Sequence, residues 1–469
     1  MRQSIITLSL VSVVLVAGCM ENPGGASGPE PLGQQPSAAD YVAGPYATRG
    51  RVIATTDVRQ LGCPQCSPVP RILATPDLDG DGTSEIVMTL ESFDTNERAI
   101  NIPTRMVIVR ANGAPYRGVS QLPSRVHARE AVVGDFNADG VDDLFVAAHG
   151  LDTSPFPGEQ NVLLLSNGAG RHIDVSLSNL PQIDDMAHGA AAGDIDSDGD
   201  LDILVVTGAG GGAARADNYL LLNDGAGRFS FSGGRNHMPA NAVPDNRFLT
   251  GSLADVNRDG NIDMLLAGSG DERQASVLLY GDGEGRFDRR VTLPRSAFGS
   301  QTWTTDIDVV DIDRDGRRDL VLLNTGNFGG KYRGLNIQIL MNEDGQFVDR
   351  SSQHLWGQDW SGQSRYNIAH NITFTDLNRD GAPDFVVQSL NPVWERQPGD
   401  LPAQIGINDG SGNFRPVTPN WLDANDGFNA RQLLPARIGG RNVLVGHSLF
   451  GQATENGFRT YGQRLTVYR

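Results

Sequence analysis

The chain is short of cysteine, of positive charge and of long apolar runs, and each shortage excludes something. Three Cys in 469 residues cannot build a disulfide scaffold. Basic residues number 38 against 56 acidic ones, a formal net charge of −18, and no Lys/Arg run offsets the deficit. Nucleic-acid binding rests on Lys and Arg neutralising phosphates, so a nucleic-acid partner is excluded. Catalytic signatures are missing too. There is no Gly-x-Ser-x-Gly, no His-Glu-x-x-His and no Cys placed as a nucleophile. What the chain has in quantity is Gly, 57 copies, beside 39% hydrophobic and 20% charged residues. That is the composition of a globular protein with many short strands and tight turns rather than of a disordered one.

The longest apolar stretch near the start, Ile5 to Val16 behind Arg2, is too short to cross a bilayer but has the length of a secretory signal core. It ends in Val16-Ala17-Gly18-Cys19, which resembles the lipobox of bacterial lipoproteins. The resemblance implies a signal over residues 1–18 and lipidation at Cys19. Residues 19–45 are rich in Gly, Pro, Ser and Gln and read as a flexible tether with a reach on the order of 25–30 Å. The expected location is the cell envelope, lipid-anchored, at the outer membrane if the source is Gram-negative. The folded part is then 46–469. Its two Cys, Cys63 and Cys66, form Cys-Pro-Gln-Cys. In an exported protein this fits a small disulfide loop. A metal site would need two more ligands, and a redox motif would open a helix beside a parallel sheet.

Self-similarity organises the rest. The pattern Asp-x-[Asp/Asn]-x-Asp-Gly-x-x-[Asp/Glu] starts at Asp77, Asp135, Asp194, Asp255, Asp311 and Asp376, at intervals of 58, 59, 61, 56 and 65 residues. Short apolar runs of buried-strand length flank each copy. A later Gly-rich turn recurs, as in Asn223-Asp-Gly-Ala-Gly-Arg-Phe229 and Asn408-Asp-Gly-Ser-Gly-Asn-Phe414, which marks a hairpin. One repeat therefore reads strand A, acidic loop, strand B, variable loop, strand C, hairpin, strand D. The sequence predicts an all-β fold, a seven-bladed β-propeller of four-stranded antiparallel blades. The seventh repeat keeps its Gly and apolar run at 436–445 but has lost its acids and stops before a strand D. The spare strand Arg51–Asp57 is expected to supply it and close the ring.

Numbered from its first Asp, each loop turns oxygens inward at positions 1, 3 and 5, bends sharply at the glycine in position 6, and closes with the acid at position 9. The four acidic or amide positions are Asp77, Asp79, Asp81 and Glu85 in loop 1, and Asp135, Asn137, Asp139 and Asp143 in loop 2. They are Asp194, Asp196, Asp198 and Asp202 in loop 3, and Asp255, Asn257, Asp259 and Asp263 in loop 4. Loop 5 has Asp311, Asp313, Asp315 and Asp319, and loop 6 has Asp376, Asn378, Asp380 and Asp384. Hard oxygen donors select Ca²⁺, and an all-protein cage suits it better than Mg²⁺. An EF-hand would close with Glu at position 12 and enter a helix, whereas these loops run into a strand. A metal-free Asp-rich turn could explain one loop but not six that pack 21 carboxylates into small volumes. About six structural Ca²⁺ are expected.

On these motifs the chain resembles the bacterial VCBS/FG-GAP repeat family and, through it, the seven-bladed head of integrin α subunits. The resemblance covers Val52 to Arg469; the Phe-Gly-x-Gly-Ala-Pro signature is absent. It implies that the ions stiffen the blades and that partners bind elsewhere on the ring. Antiparallel parity puts acidic loops and hairpins on one face and the variable connections on the other. That second face is expected to carry His188, Arg247, Trp303, Trp356, Asp359, Trp360, Tyr366, His370 and Trp394. Aromatic and Arg side chains on a rigid ring suit a protein or carbohydrate ligand. The expected function is an anchored adhesion or envelope-scaffold module and not an enzyme. The alternative is an extracytoplasmic polysaccharide-active enzyme, with Asp359, His188 and His370 as loose candidates.

Overall fold

The computed structural model describes residues 51–57, 67–93, 104–114, 116–119, 122–125, 127–151, 156–167, 170–207, 217–232, 248–268, 275–327, 332–356, 361–362, 369–389, 404–417, 432–454 and 457–468. Seven antiparallel sheets among them are arranged as a seven-bladed propeller, beside a separate two-stranded pairing of Thr104–Arg105 with Ser124–Arg125 and little helix. Blade 1 has three strands among the described residues: A, Ser67–Ala74; B, Glu85–Phe93; C, Val107–Arg110. Blades 2 to 6 each run A-B-C-D in chain order, blade 2 from Ala128–Gly134 to His172–Asp174 and blade 6 from Ala369–Thr375 to Phe414–Pro416.

Blade 7 follows the predicted closure. Its strands Gln432–Ile438, Arg441–Thr454 and Gly457–Tyr468 are completed by Arg51–Asp57, which pairs antiparallel with the last strand, Arg51 opposite Val467. The missing acids have a structural counterpart. Ile438 pairs directly with Arg441, so a two-residue hairpin, Gly439-Gly440, replaces the nine-residue loop. Both glycines have positive φ, 56° and 72°, as the tight hairpin turn that matches strand twist requires.

Strand B of every acidic-loop blade is an unbroken apolar run because both of its faces are covered. In blade 2, Leu144 and Val146 pack with blade 1 residues such as Leu78 and Val87. The alternate residues Phe145 and Ala147 pack with blade 3 through Ile203 and Val205. The same alternation recurs around the ring. Seven hydrophobic clusters among the described residues occupy the seven interfaces between successive blades, including blade 7 against blade 1 through Val443, Val445, Ile72 and Ile86. The core is thus a set of wedges between blades. Burying each such side chain stabilises by about 1.5–3 kcal/mol.

No helix among the described residues is long and apolar enough to cross a membrane. Cys19, Cys63 and Cys66, with the signal and tether, lie outside the described residues.

Candidate metal centres and the axial cavity

The six acidic loops share one backbone scaffold. The acid at position 1 accepts the amide of the position 6 glycine at 2.8–3.1 Å in all six. In five of them its other oxygen accepts the position 5 amide at 3.0–3.2 Å. Positions 4 and 6 take left-handed backbone; loops 2 to 6 do so at position 4 with Ala138, Ser197, Arg258, Arg314 and Arg379. A non-Gly residue there is uncommon, and the Asp side chains that tie the turn hold it in place.

The closing acid does a second job. Glu85, Asp143, Asp202, Asp263, Asp319 and Asp384 are buried. Each accepts the position 2 amide, from Leu78, Phe136, Ile195, Val256, Ile312 and Leu377, at 2.8–3.1 Å. In loops 2 to 6 the other oxygen accepts the amide just past strand C, from Ser166, Asn223, Gly281, Asn342 and Asn408, at 2.5–3.0 Å. Burial pushes these carboxyls up, to about 7 for Glu85, Asp143 and Asp202 and about 6 for Asp263, Asp319 and Asp384, against the opposing pull of the amides.

Position 2 has a role that the acidic motif does not reveal. It is apolar in all six loops, and its side chain is buried between blades. The signal in the sequence is an apolar residue directly after each first Asp.

The loops also bring acidic oxygens together. In loops 1, 3 and 5, one oxygen from each of Asp77, Asp79 and Glu85, of Asp194, Asp196 and Asp202, and of Asp311, Asp313 and Asp315 lies within 4.8 Å of the others. Oxygens bound to one Ca²⁺ at about 2.3–2.6 Å lie no more than about 5 Å apart, so the spread fits. In those same loops a buried oxygen of Asp79, Asp196 and Asp311 has no hydrogen-bond partner among the described residues. Burial, and then the neighbouring charges of Asp198 and Asp194, raise Asp196, as expected where a cation is the natural partner. Loop 1 differs in one respect: the Arg110 guanidinium contacts Asp79, Asp81 at 2.8 Å and Glu85 at 3.0 Å.

The hairpins lie beside the acidic loops, as parity requires: a Cβ on hairpin Gly225 would meet Asp200, and one on Gly283 would meet Asn261. Trp356 departs from its expected face. It sits beside Phe414, the first residue after the blade 6 hairpin, where its backbone N–H donates to Phe414 at 2.9 Å and Arg415 stacks 5.0 Å from its ring centre. The short helix before it turns the chain back toward the loops; His354 contacts hairpin Gly412 at 3.0 Å.

At the opposite end the structure brings together residues that are scattered in the sequence. In five blades the innermost strand A carries a register shift, near its end at Leu73 in blade 1 and in its first half at Arg129, His188, Thr305 or His370 in the others. Such bulges re-aim side chains. Leu73, Arg129, His188 and Thr305, with Glu130, Asp306, Asn371 and Gln388, line a cavity of about 50 Å³ on the ring axis. Asp306 accepts the Ile372 amide at 2.8 Å, and burial, then the charges of Glu130 and Asp308, raise its carboxyl well above the usual range. His188 also meets His149 edge to face at 4.5 Å. Trp303 lies near the start of the blade 5 strand A, partly buried. His370 shares the bulge position of His188; its side chain, like Arg247, Asp359, Trp360, Tyr366 and Trp394, lies outside the described residues.

The FG-GAP-like repeat family matches the chain at residues 135–205, 255–322 and 311–387. No curated protein matches it in sequence. Solved structures similar to it include the β-fructofuranosidase of Schwanniomyces occidentalis complexed with fructosyl-erythritol, at 11% identity over 85% of this chain and 67% of that one, TM-score 0.34. The polysaccharide lyase Uly1 is 10% identical over 94% of this chain and 100% of that one, TM-score 0.39. The GH32 β-fructofuranosidase BmSUC1 of Bombyx mori is 10% identical over 90% and 94%, TM-score 0.32. At such scores these likenesses say nothing about what this chain acts on.

Proposed function

On a chain that carries FG-GAP-like repeats in a seven-bladed ring, we propose a calcium-stiffened binding module. It is exported, held to the envelope through Cys19, and offers a protein or glycan ligand the face opposite its acidic loops. One observation carries the metal half: buried carboxylate oxygens in loops 3 and 5 have no hydrogen-bond partner among the described residues while two further acids converge on each. Bound Ca²⁺ would be held in each such loop by the acids at positions 1, 3, 5 and 9, and would neutralise their repulsion. The recognition half rests on the axial cavity and the bulged strands that surround it. The test is a glycan array and envelope pull-down with the soluble head in Ca²⁺, repeated with Arg129→Ala and His188→Ala. A specific ligand lost in both variants supports the reading; one that both retain moves recognition off the axis.

The axial acids favour a second reading, a polysaccharide-active enzyme. Glu130 and Asp306 line one cavity, and burial followed by the charge of Glu130 raises the Asp306 carboxyl, which is how a proton donor is kept at neutral pH. Release of new reducing or unsaturated ends from neutral or acidic polysaccharides, abolished by Glu130→Gln, would establish it. No product from any of them leaves the binding module.

A further inference from the structure

Loop 1 departs from the other five loops at two positions at once. It closes with Glu85 where they close with Asp, and the residue opposite that acid across the B–C ladder is Arg110. One antiparallel step past the last paired residues of blades 2 to 6 places Leu165, Leu222, Tyr280, Met341 and Ile407 there, none of them cationic. The two changes act together. Glu85 keeps the clamp on Leu78 at 2.8 Å, and its extra methylene carries the other oxygen to Arg110 Nε at 3.0 Å. The amide past strand C, Ala111, which the closing acid would otherwise bind, donates instead to the Ser84 carbonyl at 2.8 Å.

We propose that Arg110 is the resident cation of loop 1, so that this loop takes no Ca²⁺ and the ring holds at most five ions. The guanidinium reaches the acids at positions 3, 5 and 9, three of the four side chains that would otherwise ligate a metal. It is permanently charged, and its donors form a rigid fork matched to carboxylates. With Asp81 and Glu85 engaged by the guanidinium, the spare Asp79 oxygen and Asp77 are the side-chain donors that remain, short of the six to eight oxygens that Ca²⁺ gathers.

Placement gives the arrangement a purpose. Loop 1 borders the hairpin of blade 7, which carries no acids: Gly440 donates to Gly82 at 2.9 Å, and Ser84 to Arg437 at 2.9 Å. This is the seam beside the blade in which the two chain ends pair. A built-in cation keeps the seam formed whatever the Ca²⁺ supply.

The inference rests on the calcium reading of the other loops, and the experiment separates the two. Ca²⁺ bound per chain is counted by elemental analysis after dialysis for four proteins: wild type, Asp79→Asn in loop 1, Asp196→Asn in loop 3, and Glu85→Asp/Arg110→Leu. The count is expected to be unchanged by Asp79→Asn, to fall by one with Asp196→Asn, and to rise by one in the double variant. A fall of one with Asp79→Asn, or no rise in the double variant, overturns the assignment. Should the double variant misfold, the Asp79→Asn result decides alone. If wild type binds no Ca²⁺ at any loop, the calcium reading fails. The assignment then stands only if the double variant takes up one ion.

Discussion

The Asp202 carboxylate accepts the Ile195 amide at 3.0 Å while the Ile195 side chain is buried against blade 4. One acid therefore fixes both the start of the acidic loop and a wedge of the core. Its other oxygen takes the Asn223 amide at 2.9 Å, which ties in strand C. Replacing Asp202 by Asn turns an amide donor toward one of these N–H groups. A loss of about 1–3 kcal/mol in urea unfolding is expected even without metal. Asp198→Asn, at an exposed position of the same loop, should stay within about 0.5 kcal/mol in chelator and act only on Ca²⁺ affinity. Equal destabilisation by both would contradict the division of labour.

Calcium removal should lower the thermal midpoint. A site that binds only the native state contributes about 2.7 kcal/mol at a free concentration one hundred times its dissociation constant. Scanning calorimetry in Ca²⁺, in Mg²⁺ and in chelator should show the largest stabilisation in Ca²⁺. Identical midpoints in all three would remove the ions from the structure.

The metal-free protein should lose stability as pH rises. Burial lifts the closing acids to about 6–7 in the folded state, above the ~4 of an unfolded carboxyl. The folded state then binds more protons between these values, so stability falls as pH rises from about 4 through 7. Ca²⁺ favours the charged carboxylates, and its stabilising effect should grow over the same interval. Midpoints taken in chelator at pH 5 and pH 8 check the sign; a higher value at pH 8 would reverse it.

Phe145 is fully buried between blades 2 and 3. Truncation to Ala should cost about 3–5 kcal/mol with the loop acids untouched. A loss below about 1 kcal/mol would mean that the wedges between blades are not where stability resides.

Much of this was legible in the chain. Strand B of each blade read as a buried run because both of its faces meet apolar neighbours, and the pairing of Arg51–Asp57 with the last strand followed from a missing strand D. The acidic loops were legible because their turn chemistry is local: the first Asp, the glycine at position 6 and the closing acid are separated by a few residues. The apolar position 2 was visible but its role was not, since the partner blade that buries it lies about 60 residues away. Arg110 was equally out of reach, 29 residues past Asp81, and only strand pairing puts it in the loop.

The sequence by itself determined the repeat, the blade and the acids that close each loop, because those follow from periodicity and short-range hydrogen bonding. Tertiary structure alone decided which acids keep an oxygen for a metal, which loop carries its own cation, and which polar side chains meet on the axis. Those outcomes depend on burial and on register across strands distant in the chain. Neither leaves a trace in the order of residues, because a bulge of one residue, at Arg129 or His188, is enough to turn a side chain into the cavity.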